Sequence, residues 1–204
     1  MRNNYETAAI NARSLFLQWD QTRMIERCNL QADEDFIFIR FLDRNYRIDR
    51  KTGIVMHTED GRIADFNEVM TIYDLLCRDT PVPPEKGVWK AAHALSYAGT
   101  ASPTEGALLQ KTAVFLQSHT EVIDAALDHF KCDDFPIGDH ACVFPVFDCM
   151  HAVFQFWEGD DEFDPVIRFL WDETAPSRLK FETLWYAIGH FEARLTEIIR
   201  SLTT

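Results

Sequence analysis

The sequence lacks several patterns that assign a protein to a class. No apolar run approaches the roughly 18 residues that a membrane span requires. The stretch MRNNYETAAINARSLFLQWDQTR is broken by polar side chains, unlike the apolar core of a secretory signal. The Gly-x-Ser-x-Gly, P-loop and dinucleotide-binding glycine patterns are missing too. We therefore expect a cytoplasmic protein with no membrane partner, and the sequence alone leaves its catalytic and cofactor-binding residues unassigned.

Basic residues are also scarce. Lys and Arg number 20 against 33 Asp and Glu, for a formal net charge of −13. Because phosphate neutralisation supplies much of the affinity of nucleic-acid binders, this balance argues against a nucleic-acid partner. The one basic concentration, RFLDRNYRIDRK at 40–51, is interpreted as a solvated strand face with turn residues.

The five cysteines form no Cys-x-x-Cys pair, and their odd number does not suit a secreted disulfide framework. We expect reduced thiols that pack as small apolar groups.

The patterns that are present predict an α+β fold, in which an antiparallel or mixed sheet packs with N-terminal, central and C-terminal helices. Apolar spacing predicts a helix over 4–30, a β meander over 36–64 with a tight turn at Asp60-Gly61, and buried strands within 141–172. Asp65 and Glu68 form a capping box that starts the next helix. Ser102, Pro103 and Glu105 predict another helix start, with that helix running over 103–130. We expect one domain over 1–204, with an N-terminal helix in 1–32 and a core in 36–204.

An acidic stretch, FQFWEGDDEFDP at 154–165, concentrates five carboxylates. It lacks the alternating ligand pattern of a helix–loop calcium site. We interpret it as a solvated turn between two buried strands.

Three segments together resemble one family. They are YRIDRKTGIV (46–55) followed by EVMTIYDLL (68–76), then GVWKAAHAL (87–95), and FWEGDDEFDPVIRFLWDETAPSRLKFETL (156–184). In order and spacing they are similar to the domain of unknown function 3786, a bacterial and archaeal family found largely in anaerobes. The resemblance implies a soluble intracellular protein and no assigned activity. Some members carry an added cysteine-rich iron–sulfur segment, which this chain lacks, and we expect no cofactor.

The densest group of metal-ligand residue types lies in HACVFPVFDCMH, at His140, Cys142, Cys149 and His151. Two imidazoles and two thiolates suit zinc if a bend at 145–148 lets them converge. Their spacing is not that of the usual zinc modules, so buried cysteines and edge histidines are the preferred interpretation, and we expect no metal site.

A small-molecule pocket could be formed by Arg40, Arg44, Tyr46, Trp89 and Trp157, although aromatic side chains are core by default. Three functions stay open: an accessory protein of anaerobic metabolism that binds a small ligand or a protein partner, a metal-dependent enzyme built on 140–151, and a small-molecule enzyme with an aromatic and arginine pocket. The oligomeric state is open as well, with a homodimer as one alternative.

Overall fold

The computed structural model describes residues 4–96 and 105–204. Within these ranges the helices are α1 (Asn4–Gln18), α2 (Gln21–Cys28), α3 (Phe66–Leu76), α4 (Glu105–Gln117), α5 (Ile123–Leu127) and α6 (Phe181–Leu202). The strands are β1 (Gln31–Ala32), β2 (Phe36–Phe41), β3 (Arg44–Asp49), β4 (Val55–His57), β5 (Trp89–Lys90), β6 (Asp133–Asp134), β7 (His140–Phe147), β8 (Met150–Trp157) and β9 (Val166–Asp172). Single 3-10 turns lie at Ala92–Ala94, Thr120–Val122, Asp128–Phe130 and Ala175–Ser177. The predicted α+β class is confirmed.

The strands of the described ranges form two antiparallel sheets. The meander is a four-stranded sheet in the order β1-β2-β3-β4, and the later strands form a five-stranded sheet in the order β5-β9-β8-β7-β6. Where β2 ends, the N–H of Leu42 donates a 2.9 Å hydrogen bond to the carbonyl of Val146 in β7. The sequence had indicated the strands but not their division into two sheets.

Helix α6 contacts both sheets and positions the site described below. Phe191 packs on Phe144, Phe154 and Phe169, from three neighbouring strands, with ring centroids 4.3, 5.4 and 5.5 Å away. Removing such a buried ring costs about 3–5 kcal/mol. The preceding residue, His190, points to a different side of the helix and contacts α3.

Two predicted helices are each broken in the structure. The predicted helix 4–30 is α1 followed by α2, because the carboxylate of Asp20 accepts hydrogen bonds from the N–H groups of Thr22 and Arg23 and starts a new helix. The helix predicted over 103–130 ends at Gln117, since His119 leaves the helical region at φ −145° and ψ 30°. The predicted start at Ser102 lies outside the described residues and stays a prediction.

The five carboxylates of the acidic stretch lie between β8 and β9, as predicted, and their side chains are exposed, whereas its first residues, Phe154 to Phe156, are buried in β8. Asp160 Oδ1 accepts hydrogen bonds from the backbone N–H groups of Glu162 and Phe163, both at 2.8 Å.

None of the helices in 4–96 and 105–204 combines the length and apolar character needed to cross a membrane.

Candidate functional site

A cleft of about 620 Å³ opens between the β2–β3 turn, the β4–α3 connection and α6. Six carboxylates, three guanidiniums and two imidazoles are among its lining residues, which are Asp43, Arg44, His57, Glu59, Asp60, Arg62, Asp65, Glu68, His190, Ala193, Arg194 and Glu197. The acidic excess means that the cleft favours a positively charged occupant over an anion.

The innermost charge of the cleft is Glu68, whose side chain is fully buried. The predicted capping box is confirmed. Glu68 Oε2 accepts the N–H of Asp65 at 2.5 Å, and Asp65 Oδ1 accepts the N–H of Glu68 at 3.0 Å. These two bonds fix the Glu68 carboxylate at the start of α3 and leave its second oxygen, Oε1, facing the cleft.

Three polar groups surround Glu68 Oε1. The hydroxyl of Tyr46 donates to it at 2.8 Å, while Nε2 of His57 and Nε2 of His190 lie 3.1 and 3.6 Å away. The structure therefore joins β3, β4, α3 and α6 at one oxygen atom.

Local structure explains why these side chains meet. Tyr46 and His57 are directly opposite each other in the β3–β4 register, so they share one face of the sheet, and their ring centroids are 4.7 Å apart. The imidazole of His190 stacks on Phe41, with centroids 5.0 Å apart and an interplanar angle of 19°. Both imidazoles are thus held in place by aromatic packing.

Burial and charge set the ionisation of this group. Burial alone would raise the pKa of Glu68, but hydrogen bonds from the N–H of Asp65 and from the Tyr46 hydroxyl help to hold it below its usual range. Burial raises the pKa of Tyr46, and the adjacent Glu68 raises it further. Burial lowers the pKa of His190 despite the nearby carboxylates. At neutral pH the site therefore contains a carboxylate, a phenol and a neutral His190 imidazole.

Arg62 lies over the cleft side of this group. The Asp60-Gly61 turn returns the chain after β4, and the guanidinium nitrogen NH2 of Arg62 lies 2.5 Å from His57 Nε2 and 3.4 Å from Glu68 Oε1. A guanidinium only donates hydrogen bonds, so His57 presents a lone pair to it. Two lone pairs that lie 3.1 Å apart therefore converge on one positive charge. The Arg62 side chain is 46% exposed, which leaves it room to swing away.

The opposite wall is an ion-pair network. Arg194 of α6 pairs with Asp43 at 2.5 Å and also contacts Glu197, and Arg44 lies 3.3 Å from Glu197. Both of these arginines are thus already paired with carboxylates.

Asp65, Glu68 and His190 meet the geometric requirement for a metal site. Each offers one ligand atom, and these atoms all lie within 4.8 Å of one another. Two ligand atoms bound about 2.1 Å from a tetrahedral zinc lie about 3.4 Å apart. The 3.1 and 3.6 Å separations of Glu68 Oε1 from the two imidazole nitrogens bracket that value. His57 is therefore a further ligand candidate.

The structure does not bring the four sequence-predicted metal candidates together. His140 pairs with Phe156 at one end of the β7–β8 hairpin, whereas His151 pairs with Pro145 towards the other end. His140 instead contacts Asp124 at 2.8 Å and Glu158 at 3.3 Å, and His151 contacts Glu85 at 2.6 Å. Cys142 contacts Cys132, and Cys149 lies beyond Phe147 in the hairpin turn.

Of the five predicted pocket residues, Arg44 lines the cleft and Tyr46 lies beneath it, bonded to Glu68. Arg40 turns to Asp148 at 2.6 Å, Trp89 lies on β5 in the other sheet, and Trp157 packs under Arg168. The predicted set is therefore divided among separate parts of the fold.

Sequence reasoning missed the central role of this group. The sequence identifies Glu68 only as part of a helix cap, and it assigns no functional role to His57 or His190. One signal was available: Glu68 lies four residues before Ile72 and seven before Leu75, on the apolar face of α3. A carboxylate on a buried face requires partners.

A second cleft, of about 710 Å³, lies between α2 and the segment after α3. The guanidinium of Arg27 bonds the carbonyls of Leu75, Leu76 and Thr80 there, which satisfies groups at the end of α3. This arrangement supports a structural role for that cleft.

Comparison with known proteins settles the family. A profile for a domain of unknown function, DUF3786, matches residues 20–193. The chain belongs to the DUF3786 family. No curated protein and no solved structure matches it. The DUF3786 region starts at the cap of α2, earlier than the predicted core at 36, and includes Asp65, Glu68 and His190, whereas Arg194 and Glu197 lie beyond it.

Two of the three segments that suggested DUF3786 meet at Asp172. Its buried carboxylate accepts the N–H groups of Lys86, Gly87 and Val88 at 3.0, 2.7 and 3.3 Å, and Trp89 pairs with Asp172 across β5 and β9. Gly87 has φ +70°, a conformation that favours glycine. These DUF3786 residues therefore hold a loop to the sheet, at a place separate from the cleft.

Proposed function

We propose that this chain binds a small ligand in the cleft, and that the ligand is a divalent transition-metal cation held by Asp65, Glu68 and His190. The observation that carries the proposal is the convergence of two imidazole nitrogens on Glu68 Oε1, with His57 Nε2 at 3.1 Å and His190 Nε2 at 3.6 Å. Mixed imidazole and carboxylate ligands suit zinc and similar first-row ions better than magnesium or calcium.

The Arg62 guanidinium supports this proposal as a stand-in for the cation. It supplies a positive charge where His57 and Glu68 both present lone pairs. A bound ion would take that place once the half-exposed Arg62 side chain moves out. The neutral state of His190 and the ionised state of Glu68 are the states that ligate a metal.

Zinc titration of the metal-free chain by calorimetry, with manganese for comparison, tests the proposal. We expect about one zinc per chain, and stabilisation of about 2.7 kcal/mol when free zinc is a hundredfold above its Kd. Glu68→Gln keeps an oxygen that can accept the N–H of Asp65 but removes the anionic ligand, so zinc affinity should fall at least tenfold. His190→Gln should have a similar effect.

Two matched variants serve as controls. Glu197→Gln removes a carboxylate from the same cleft outside the ligand set, and His140→Gln removes a histidine held by carboxylates elsewhere. Both should bind zinc like the parent. Absence of zinc binding by the parent, or parent-like affinity in Glu68→Gln and His190→Gln, would contradict the proposal. Loss of zinc on His140→Gln would favour the 140–151 site.

A second candidate is a small-molecule enzyme in the same cleft. Three protein ligands leave a coordination position for water or substrate, as in catalytic zinc sites, and a volume of about 620 Å³ is in the range of ligand pockets. Hydrolysis of an activated carboxylic or phosphoric ester by the zinc-loaded chain, lost in Glu68→Gln, would support this candidate. Zinc binding with no such turnover supports the binding protein.

The wider role is also a proposal. We propose a cytoplasmic accessory protein of anaerobic metabolism, on the basis of the family resemblance and the unpaired state of all five cysteines.

A further inference from the structure

Two cysteine sulfurs are in contact beside the outer strand of the five-stranded sheet. Cys142 lies buried in β7, and Cys132 lies half-buried just before β6. Asp134 is opposite Cys142 in the β6–β7 register, so Cys132, two residues earlier, is on the same face as Cys142. Their Sγ atoms are 2.7 Å apart.

The surroundings of the pair do not form a metal site. A zinc ion with two thiolates at about 2.3 Å in tetrahedral geometry separates the sulfurs by about 3.7 Å, and these sulfurs are closer. Within 4–96 and 105–204, the group with metal-site geometry is Asp65, Glu68 and His190. The contact with Cys132 and burial raise the pKa of the Cys142 thiol well above its usual range, and the nearby carboxylates of Asp124 and Asp128 raise it further. The contact is therefore suited to a bond between the two sulfurs.

We propose that Cys132 and Cys142 form a modification site that reacts with low-molecular-weight disulfides to give a reversible intramolecular disulfide. The thiolate of Cys132, the more exposed of the two, attacks one sulfur of the external disulfide. This step forms a mixed disulfide and releases one external thiol. The Cys142 thiol then attacks Cys132 Sγ, gives up its proton in the same step, and expels the second external thiol. The two cysteine protons end on the two released thiols, the external disulfide is reduced, and the cysteine pair is oxidised.

The disulfide would act on a defined part of the fold. It would tie the two-residue edge strand β6 to β7 and close the segment 132–142, which contains His140 and its contacts to Asp124 and Glu158. Closing a loop restricts the unfolded chain and stabilises the fold. We expect amide hydrogen exchange in 133–141 to slow at least severalfold on oxidation.

The test treats the native full-length chain with an excess of oxidised glutathione, then quenches, alkylates the remaining thiols and maps peptides by mass spectrometry. We expect a Cys132–Cys142 cross-link in more than half of the molecules and full reversal by dithiothreitol. Cys142→Ser should accumulate a stable glutathione adduct on Cys132, because the resolving thiol is missing. Cys132→Ser should leave Cys142 unmodified, because that thiol is buried.

Cys77→Ser is the matched control, a half-buried cysteine elsewhere in the chain, and should form the cross-link like the parent. A native chain that keeps both thiols free, or that instead links another pair such as Cys28 and Cys149, would overturn the proposal. If a serine variant fails to fold, the presence or absence of the Cys132–Cys142 cross-link in the oxidised parent chain tests the proposal without it.

Discussion

The hydroxyl of Tyr46 on β3 donates a 2.8 Å hydrogen bond to Oε1 of Glu68 at the start of α3, and both side chains are fully buried. This bond ties the meander to a helix across 22 residues. It also supplies a neutral donor to a buried carboxylate, a class of bond stronger than one between two neutral groups.

Tyr46→Phe should therefore destabilise the fold by about 1.5–3 kcal/mol, the range for a hydrogen bond to a charged group. Tyr73→Phe is the matched control. Its hydroxyl donates to the carbonyl of Gly53, a neutral acceptor, and its loss should cost about 0.5–1.5 kcal/mol. Urea unfolding of both variants compares their free energies of unfolding. A double-mutant cycle of Tyr46→Phe with Glu68→Gln isolates the interaction energy of this pair. If Tyr46→Phe and Glu68→Gln prove additive within about 0.5 kcal/mol, the bond has no energetic importance.

Arg62→Gln should raise zinc affinity, because it removes a positive charge from the place that the ion would take. The side chain is half exposed, so water screens the charge, and we expect a gain of about three- to tenfold. Arg44→Gln removes a cleft charge that Glu197 already pairs, and should change affinity less than about twofold. Calorimetric titration measures the zinc affinity of the two variants. Weaker zinc binding by Arg62→Gln would mean that the guanidinium does not lie where the ion binds.

Asp172→Asn tests the loop attachment and its pH dependence. Burial alone would raise the pKa of Asp172, but bonds from the side chain and N–H of Thr174 and from the N–H groups of Lys86 and Gly87 lower it. A lowered pKa in the folded state stabilises the fold at pH values above the unfolded pKa of about 3.9. That stabilisation is lost as pH falls through the folded value. Asp172→Asn should lower the free energy of unfolding by about 1.5–3 kcal/mol at pH 7, and this difference from the parent should become smaller below about pH 4.

Urea midpoints at pH 7, 5 and 3.5 measure this difference. Asp148→Asn, which removes an exposed partner of Arg40, should change stability by less than about 1 kcal/mol at each pH. A loss for Asp172→Asn that stays constant over the whole pH range would show that the charge of Asp172 does not act as described.

Gly159→Ala should destabilise the turn between β8 and β9. An added Cβ would lie 2.7 Å from Pro165 Cδ, 2.8 Å from Pro165 N and 2.9 Å from the Phe163 carbonyl, and two of these atoms are backbone. Overpacking of this kind costs about 1–3 kcal/mol. The exposed neighbour variant Asp161→Asn should stay within about 0.5 kcal/mol of the parent. Equal melting temperatures for Gly159→Ala and the parent would show that the turn relaxes freely.

The parts of the fold that sequence could predict are those governed by near neighbours. The capping box at Asp65 and Glu68, the turn at Asp60-Gly61 and the apolar strands after Ala141 depend on spacings of a few residues, and each is present. The break at Asp20 was missed although its signal is local, because the apolar stripe continues on both sides of it.

The candidate site could not be predicted in the same way. His190 lies 122 residues after Glu68 in the chain, and no spacing rule relates them. Their approach depends on how α6 packs against both sheets, with Phe191 fixed on the five-stranded sheet and His190 directed to Phe41 and Glu68. Conversely, His140 to His151 resemble a ligand set because these residues are close in sequence, yet the β7–β8 register places the two histidines towards opposite ends of the hairpin.

The double use of Glu68 has an evolutionary consequence. One of its oxygens caps a helix while the other faces the cleft, so if the cleft binds the proposed ion, a lineage that loses the ion would still be selected to keep this residue for folding. His190 and His57 carry no such second duty at a helix end. Loss of the proposed ion binding should therefore appear first as substitutions at the two histidines, with the glutamate retained as a helix cap.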